Sequence, residues 1–221
     1  MKTGERVEAE AKKLRFVLAF EGIVAGTDEA GRGPLAGPLV AAAAVLTKEQ
    51  GRGLTERGLR DSKRMTPRKR EEMFRTMREM GVAWEAQAAG LETIERLNIL
   101  GASLWAMGRS VLKLPPVDLV VTDGPHGIPG LPYRQVPLTA ADDLVPAVSA
   151  ASVVAKVLRD RVMMVLDRLY PGYGFARHKG YPTREHRDAV RALGLSPVHR
   201  PAFCAGLTLP AGAAGEARVD G

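Results

Sequence analysis

The sequence contains almost no cysteine and no long apolar run. Its 221 residues include one cysteine, Cys204, which excludes a disulfide framework and a cysteine-based zinc site. A lone thiol suits a reducing compartment. The longest apolar stretch, residues 34–46, is far shorter than the ~20 residues that span a bilayer, and the charged N-terminus lacks the apolar core of a signal peptide. We therefore expect a cytoplasmic protein without membrane contacts.

Basic residues outnumber acidic ones along the chain. Lysine and arginine total 32 against 25 aspartates and glutamates, which gives a formal net charge of +7. A basic surface attracts polyanions, because contacts with phosphates release bound counterions. The same surplus also keeps proteins soluble, so charge alone does not decide between these readings. Acidic residues within a phosphate-binding surface would favour an enzyme that acts on nucleic acids.

The spacing of apolar residues predicts an α/β fold. Strands are expected at residues 23–27, 39–46, 82–88 and 117–122. Helices are expected at residues 1–20, 66–80, 91–112, 151–169 and 183–193. The Pro- and Gly-rich stretch at 124–137 is expected to be a loop. Strands alternate with helices early in the chain and helices dominate later, which is typical of a sheet domain with a helical C-terminal extension.

The chain is expected to form one domain followed by a tail. Residues 1–203 carry the periodic patterns, and residues 204–221 are predicted to be a disordered tail, because the stretch from Pro210 on is small, polar and unpatterned.

Acidic residues follow two of the predicted strands. Asp28 and Glu29 come directly after the first strand, and Asp123 comes after the strand at 117–122. The carboxyl ends of strands are where open α/β sheets bind ligands. Adjacent residues on a strand point to opposite faces, so Asp28 and Glu29 can meet at one centre only if the chain bends between them. A third acidic pair, Asp142-Asp143, precedes the helix that opens near Pro146.

Clustered carboxylates indicate a site for a hard divalent cation. Their mutual repulsion raises their pKa values unless a cation lies among them. Oxygen ligands without cysteine or histidine favour Mg²⁺ or Mn²⁺ over zinc. Two such ions about 4 Å apart can activate water and stabilise the leaving oxygen in phosphodiester cleavage. The alternative is that these are ordinary turn and helix-capping aspartates, which are common.

A series of short motifs extends from Gly26 to Thr183. The first is Gly26-Thr27-Asp28-Glu29-Ala30-Gly31-Arg32-Gly33-Pro34-Leu35-Ala36-Gly37-Pro38. The others follow as Asp61-Ser62-Lys63-Arg64, Leu97-Asn98-Ile99-Leu100, Thr122-Asp123-Gly124, residues 149–157, Tyr173-Gly174-Phe175 and residues 178–183. In this order they resemble type 2 ribonuclease H (ribonuclease HII) over about residues 20–203. The shared order makes the resemblance far more specific than any one motif.

The resemblance implies a fold and an activity. The fold would be a ribonuclease H-like mixed β-sheet flanked by helices, with a helical C-terminal extension. The activity would be an endonuclease that cuts the RNA strand of RNA–DNA hybrids and incises on the 5′ side of single ribonucleotides in duplex DNA, leaving a 3′-hydroxyl and a 5′-phosphate. The partners would be these nucleic acids, and the protein would be a monomer. Some family members carry an aromatic clamp-binding motif in the tail, but residues 205–221 contain no aromatic residue, so none is predicted.

The resemblance also assigns the metal-site acids to Asp28, Glu29, Asp123 and Asp142, which would hold two Mg²⁺ or Mn²⁺ ions. One ion would orient and activate a water, and the other would stabilise the departing 3′ oxygen. The fourth acid stays open between Asp142 and Asp143. The family usually has glycine before this aspartate, whereas Ala141 stands here, but the spacing to Ser149 favours Asp142.

Substrate contacts are expected in two further motifs. Gly31, Arg32 and Gly33 match the family's ribose-reading turn, and Tyr181 matches its aromatic partner. Glycines let the backbone approach a 2′-hydroxyl, which distinguishes RNA from DNA. The cations Lys63 and Arg64 precede the helix start at Thr66-Pro67 and are expected to contact phosphates.

Other polar residues of the motifs are predicted to be structural. Ser152 is interpreted as helix packing, and His186 and His199 as structural histidines. His178 lies in the Gly-rich loop that also carries Tyr181, but a lone histidine is more often structural than catalytic.

Three alternatives to ribonuclease HII stay open. A type 3 enzyme carries an extra N-terminal domain, whereas only about 20 residues precede the first predicted strand. A junction resolvase of the same fold would cut all-DNA branched substrates. A non-catalytic binder would give no products with or without metal. A duplex with a single ribonucleotide distinguishes among them.

Overall fold

The computed structural model describes residues 3–207, which form two compact units. The first unit comprises the chain up to Arg32 together with Leu39–Arg159, and the second comprises Gly33–Pro38 and the chain from Asp160 on. The predicted disorder of residues 208–221 lies outside the described residues. Cys204, which the sequence assigned to the tail, is buried. The predicted domain over residues 1–203 stays a prediction. Among the described residues, no helix is long and apolar enough to span a membrane.

The first unit contains a five-stranded sheet. Its strands are β1 (Val24–Ala30), β2 (Leu39–Val45), β3 (Ala83–Ala89), β4 (Leu119–Asp123) and β5 (Arg134–Leu138). The strand order is β3-β2-β1-β4-β5. β1 pairs antiparallel with β2, as β2 does with β3, whereas β4 runs parallel to both β1 and β5. This arrangement confirms the predicted mixed sheet.

Helices flank the sheet. Those of the first unit are α1 (Thr3–Ala19), α2 (Lys48–Glu56), α3 (Pro67–Glu79), α4 (Leu91–Val111), α5 (Ala141–Leu144) and the start of α6 (Pro146–Leu169). Thr66 caps α3 and Pro67 opens it, as the sequence predicted. α2 was not predicted, since only Gly51 and Leu54 of its residues are buried, too few for a clear period. Apolar residues of β2, α3 and α6 meet in one buried core.

Two strand predictions differ from the structure. The strand predicted at residues 23–27 is too short, because β1 continues to Ala30, which pairs with Val40 of β2, so the chain stays extended between Asp28 and Glu29. The predicted loop at 124–137 is wrong at its end, since residues 134–137 belong to β5. Pro137 disfavoured a strand there, but a strand at the edge of a sheet tolerates proline.

α4 is interrupted within the Leu97-Asn98-Ile99-Leu100 motif. Asn98 has a φ of 55° and a ψ of 174°, which are not helical. Its Oδ1 accepts hydrogen bonds from the backbone N–H groups of Leu100 at 3.0 Å and Gly101 at 3.1 Å. Asn98 therefore acts as an N-cap for the second part of the helix.

The second unit is helical. It contains the end of α6, α7 (Phe175–His178), α8 (Arg184–Leu193) and a 3-10 turn at Pro201–Phe203. Thr183 caps α8 and Gly194 follows its end, as predicted. The segment Gly33–Pro38 is held by backbone hydrogen bonds of 2.8 Å, from Leu35 N to Gly180 O and from Gly37 N to Val198 O.

β1 packs unusually close to the start of α6. A Cβ at Gly26 would lie 2.2 Å from the backbone N of Val148. Only glycine allows this contact. The end of a flexible side chain could move aside for an added Cβ, but the backbone atoms of α6 cannot. Asp28 lies two residues further along β1. The contact at Gly26 therefore sets the distance between Asp28 and α6.

The Gly26→Ala variant is expected to lose about 1–3 kcal/mol of unfolding free energy, because the added methyl overpacks the contact between β1 and α6. Urea denaturation of the purified protein measures this loss. Gly51→Ala is the matched control, since a Cβ there would lie 3.6 Å from Pro146 Cβ, an ordinary contact. Equal stability of the two variants would contradict the tight contact.

Candidate active site

Three aspartates converge near the carboxyl ends of the neighbouring strands β1 and β4. One carboxylate oxygen each of Asp28, Asp123 and Asp142 lies within 4.8 Å of the other two. β1 and β4 are parallel neighbours in which Thr27 pairs with Thr122, so Asp28 and Asp123 follow side by side. Asp142 belongs to α5, whose Ala141 N–H donates a 2.8 Å hydrogen bond to Asp123 Oδ1. The structure thus brings together residues that are far apart in sequence.

Glu29 lies outside this group of three aspartates. Because β1 stays extended, the side chains of Asp28 and Glu29 leave opposite faces of the strand. Glu29 Oε1 lies 3.5 Å from Arg32 Nη1, and the Ser103 hydroxyl donates a hydrogen bond to its carboxylate. Burial raises the pKa of Glu29, against the opposing effect of the Arg32 charge.

The three aspartates, of which Asp28 and Asp142 are buried and Asp123 is half-buried, repel one another. Asp28 is 2% exposed. Its burial, together with the charges of Glu29 and Asp123, raises its pKa well above the ordinary value. Burial likewise raises the pKa values of Asp123 and Asp142. The site therefore favours a positive charge among these carboxylates.

Asp142 and Asp143 are adjacent in sequence but differ in surroundings. Asp142 is buried, and its Oδ2 lies 3.0 Å from Lys63 Nζ. Asp143 is more exposed and lies outside the group of three, with its Oδ2 2.9 Å from Arg64 Nη1. Lys63 and Arg64 belong to a 3-10 turn at Ser62–Arg64, which Asp61 caps. Both predicted phosphate-binding cations thus contact carboxylates of the acidic region.

Buried serines support the acids from neighbouring elements. Ser149 Oγ donates a 2.7 Å hydrogen bond to the backbone oxygen of Asp142. Ser152 Oγ lies 2.9 Å from Ser62 Oγ, which links α6 to the turn that carries Lys63. Neither Ser62, which was named only as part of a motif, nor Ser103 was predicted to support the acids. Ser103 carried a usable signal, since it is a polar residue on a buried face of α4 beside Ala102.

Gly33 and Tyr181 lie together in the second unit. A Cβ at Gly33 would lie 4.0 Å from Tyr181 Cε1. The backbone next to Tyr181 is tied to the same segment, because Gly180 O accepts a hydrogen bond from Leu35 N. The Tyr181 side chain is 38% exposed, so its ring is accessible. Gly31, which has a φ of 103°, and Arg32 belong to the first unit.

The donors present fit a hard divalent cation. The group consists of carboxylate oxygens alone, which suit Mg²⁺ or Mn²⁺. Asp28 Oδ1 accepts a 2.7 Å hydrogen bond from Glu29 N. Asp28 Oδ2 is buried and has no hydrogen-bond partner among the residues that the structure describes. A buried carboxylate oxygen without a partner is costly unless a cation binds it.

Comparison with known proteins identifies the family of this chain. The family model for ribonuclease HII matches residues 25–206. The ribonuclease HII of Moorella thermoacetica is 46% identical over 202 residues, which cover 90% of this chain and 95% of that protein. The crystal structure of ribonuclease H2 from Pyrococcus horikoshii superimposes with a TM-score of 0.69 at 26% identity, over 84% of this chain and 96% of that one.

A third similar protein is the ribonuclease HII of Archaeoglobus fulgidus, whose structure was solved in complex with PCNA. It superimposes with a TM-score of 0.71 at 27% identity and covers 83% of this chain and 94% of its own. The family match spans most of the chain and includes every acid of the site. The chain therefore belongs to the ribonuclease HII family.

Proposed function

We propose that this endoribonuclease, besides cutting the RNA strand of RNA–DNA hybrids, incises duplex DNA on the 5′ side of a single embedded ribonucleotide and leaves a 3′-hydroxyl and a 5′-phosphate. The observation that carries the proposal is the convergence of Asp28, Asp123 and Asp142 within 4.8 Å in a basic protein of this family. An acidic centre has no electrostatic reason to attract a polyanion unless cations mediate the contact.

The three aspartates would hold Mg²⁺ or Mn²⁺. Glu29, whose charge raises the pKa of Asp28, would be a further ligand when its longer side chain turns toward the bound ions. Two bound ions would supply the activation of water and the stabilisation of charge on the leaving 3′ oxygen. Asp123 is oriented by Ala141 N–H, and the backbone of Asp142 by Ser149. These fixed hydrogen bonds preorganise the carboxylates, so they need not rearrange during the reaction.

Lys63 and Arg64 would bind backbone phosphates of the substrate. Their side chains are 68% and 63% exposed, and each already neutralises an aspartate. Cations bound at the acids would release Lys63 from Asp142 and leave its ammonium group for a phosphate. Contacts of this kind add affinity without reading the sequence.

Gly31, Arg32, Gly33 and Tyr181 would distinguish the ribonucleotide. Backbone groups at the glycines can approach a 2′-hydroxyl, because no side chain stands in the way. The accessible ring of Tyr181 would stack on the deoxyribose next to the ribonucleotide, and its proximity to Gly33 supports a joint role.

The Asp123→Asn variant is expected to bind an RNA–DNA hybrid as the wild type does and to cut it at least about 10³-fold more slowly, since lost metal chemistry removes several kcal/mol of transition-state stabilisation. Fluorescence anisotropy measures binding and single-turnover gels measure cleavage. Asp143→Asn, which removes a carboxylate outside the group of three, serves as the control. Wild-type cleavage by Asp123→Asn would remove this residue from the mechanism.

Substitutions of the two adjacent aspartates, Asp142 and Asp143, are expected to have different effects on metal affinity. Asp142→Asn should weaken Mn²⁺ binding by about tenfold or more, because cation affinity depends on the number of charged ligands. Asp143→Asn should change it by less than about twofold. Isothermal titration calorimetry with Mn²⁺ alone measures both, and the reverse ranking would transfer the ligand role to Asp143.

A duplex with one ribonucleotide tests substrate recognition. The wild type should cut it on the 5′ side of the ribose in Mg²⁺ or Mn²⁺, and should leave all-DNA linear and branched substrates intact. Tyr181→Ala should lower kcat/KM on this duplex roughly tenfold, since losing the contact between the ring and the sugar would remove about 1.4 kcal/mol of transition-state stabilisation. Cleavage of branched DNA instead would support a junction resolvase.

A further inference from the structure

Three histidines cluster in the core of the second unit. His178, His186 and His199 are buried. The rings of His178 and His186 stack with their centroids 4.3 Å apart, and Phe175 contacts all three imidazoles. The mechanism proposed above uses none of them.

Hydrogen bonds fix the protons on His199 and His186. Ser196 N–H donates to His199 Nδ1 at 2.9 Å, so the proton of the neutral ring is on Nε2. That nitrogen lies 3.0 Å from His186 Nε2, which must then accept. The proton of His186 is consequently on Nδ1, which donates to the backbone oxygen of Tyr181 at 2.9 Å. We call the chain from Ser196 through His199 and His186 to Tyr181 the histidine relay.

Both imidazoles of the relay are neutral near pH 7. Burial, together with the charge of a protonated His186, lowers the pKa of His199 to about 4. Burial also lowers the pKa of His186. The relay therefore works through two N–H donors and not through charge.

The relay ends on a tightly fixed peptide. Tyr181 O also accepts a 2.8 Å hydrogen bond from Thr183 N, and Tyr181 N donates to His178 O at 2.9 Å. Gly180 N donates to His178 Nδ1 at 3.2 Å. The backbone of Tyr181 is thus held from several sides, whereas its ring stays accessible beside Gly33.

We infer that His186 and His199 are positioning residues for recognition of the ribonucleotide junction, because their relay holds the carbonyl of Tyr181 and so fixes the point of the backbone from which its ring projects. The inference rests on the role proposed above for Tyr181. Apolar side chains would fill this core without the desolvation of two imidazoles. The ordered hydrogen bonds supply what apolar packing cannot, namely one fixed direction for the Tyr181 peptide.

The test compares His186→Leu, which removes the donor to Tyr181, with His186→Asn, whose amide can reach the position of Nδ1. On the duplex with one ribonucleotide, His186→Leu should lower kcat/KM about as much as Tyr181→Ala, roughly tenfold. His186→Asn should stay within about threefold of the wild type. Mn²⁺ affinity should be unchanged in both, since the acidic site is untouched.

Two controls separate positioning from general destabilisation. Val190→Ala removes buried volume from the same helix as His186 without touching Tyr181, and it should keep wild-type kcat/KM at a temperature where the protein is folded. The double variant Tyr181→Ala/His186→Leu should be no worse than Tyr181→Ala alone, because both changes remove one function. If His186→Leu does not fold, His199→Leu against His199→Gln makes the same comparison one step earlier in the relay.

The outcomes are distinct. Full activity of His186→Leu, additive losses in the double variant, or an equal loss in Val190→Ala would each overturn the relay as a positioning device while leaving the proposed function intact. Wild-type activity of Tyr181→Ala would overturn the proposed role of Tyr181 and the relay with it. Matching, non-additive losses rescued by His186→Asn would support both.

Discussion

Repulsion among buried carboxylates is the constraint around which the first unit is organised. The parallel pairing of β1 with β4 brings Asp28 and Asp123 side by side, and α5 adds Asp142. Burying like charges is unfavourable, and the raised pKa values express that cost. The surroundings reduce the cost with backbone N–H donors and with the ammonium group of Lys63. The negative charge on Asp28 Oδ2 has no hydrogen-bond donor among the described residues, and a divalent cation would supply the missing positive charge.

Small residues make the acidic centre rigid. Ala42 and Ala44 of β2 and Ala150, Ala151 and Ala155 of α6 are buried in the same core. Together with the contact at Gly26, their short side chains allow the helix to approach the sheet closely. Alanine also has no side-chain rotamers to order on folding. The carboxylates therefore project from backbones that have little freedom to move, as preorganised electrostatics requires.

The predictable part of the fold is the part governed by local signals. The caps at Thr66 and Thr183 and the apolar periods of the long helices needed no tertiary information. The first strand was predicted to end at residue 27, whereas pairing with β2, a non-local interaction, keeps the segment extended to Ala30. β5 was missed because its edge position, which tolerates Pro137, depends on the strand order of the whole sheet.

For the site too, residues in local sequence patterns could be predicted, and features that depend on contacts between distant residues could not. Asp28 and Asp123 directly follow short apolar runs, which is a local pattern, whereas the difference between Asp142 and Asp143 arises only from contacts with β4 and with Lys63 and Arg64. A left-handed residue before α5, Ala140 with a φ of 56°, helps to set which of the two turns inward, and alanine gives no signal for that conformation. The histidine relay was invisible, because a hydrogen bond between His186 and His199 leaves no periodic trace in the sequence.

The roles proposed for charge and for recognition use different chemistry. Lys63, Arg64 and the aspartates would act through full charges, so the binding that they contribute would weaken as salt screens the phosphates. The Tyr181 peptide is held by neutral imidazoles and backbone groups, which neither attract phosphates nor respond to counterions. A protonated imidazole in that core would instead need a counter-anion. Because the relay is uncharged, it would hold the Tyr181 backbone by hydrogen-bond direction alone, and under the proposed roles general affinity for nucleic acid and discrimination of the sugar could vary independently.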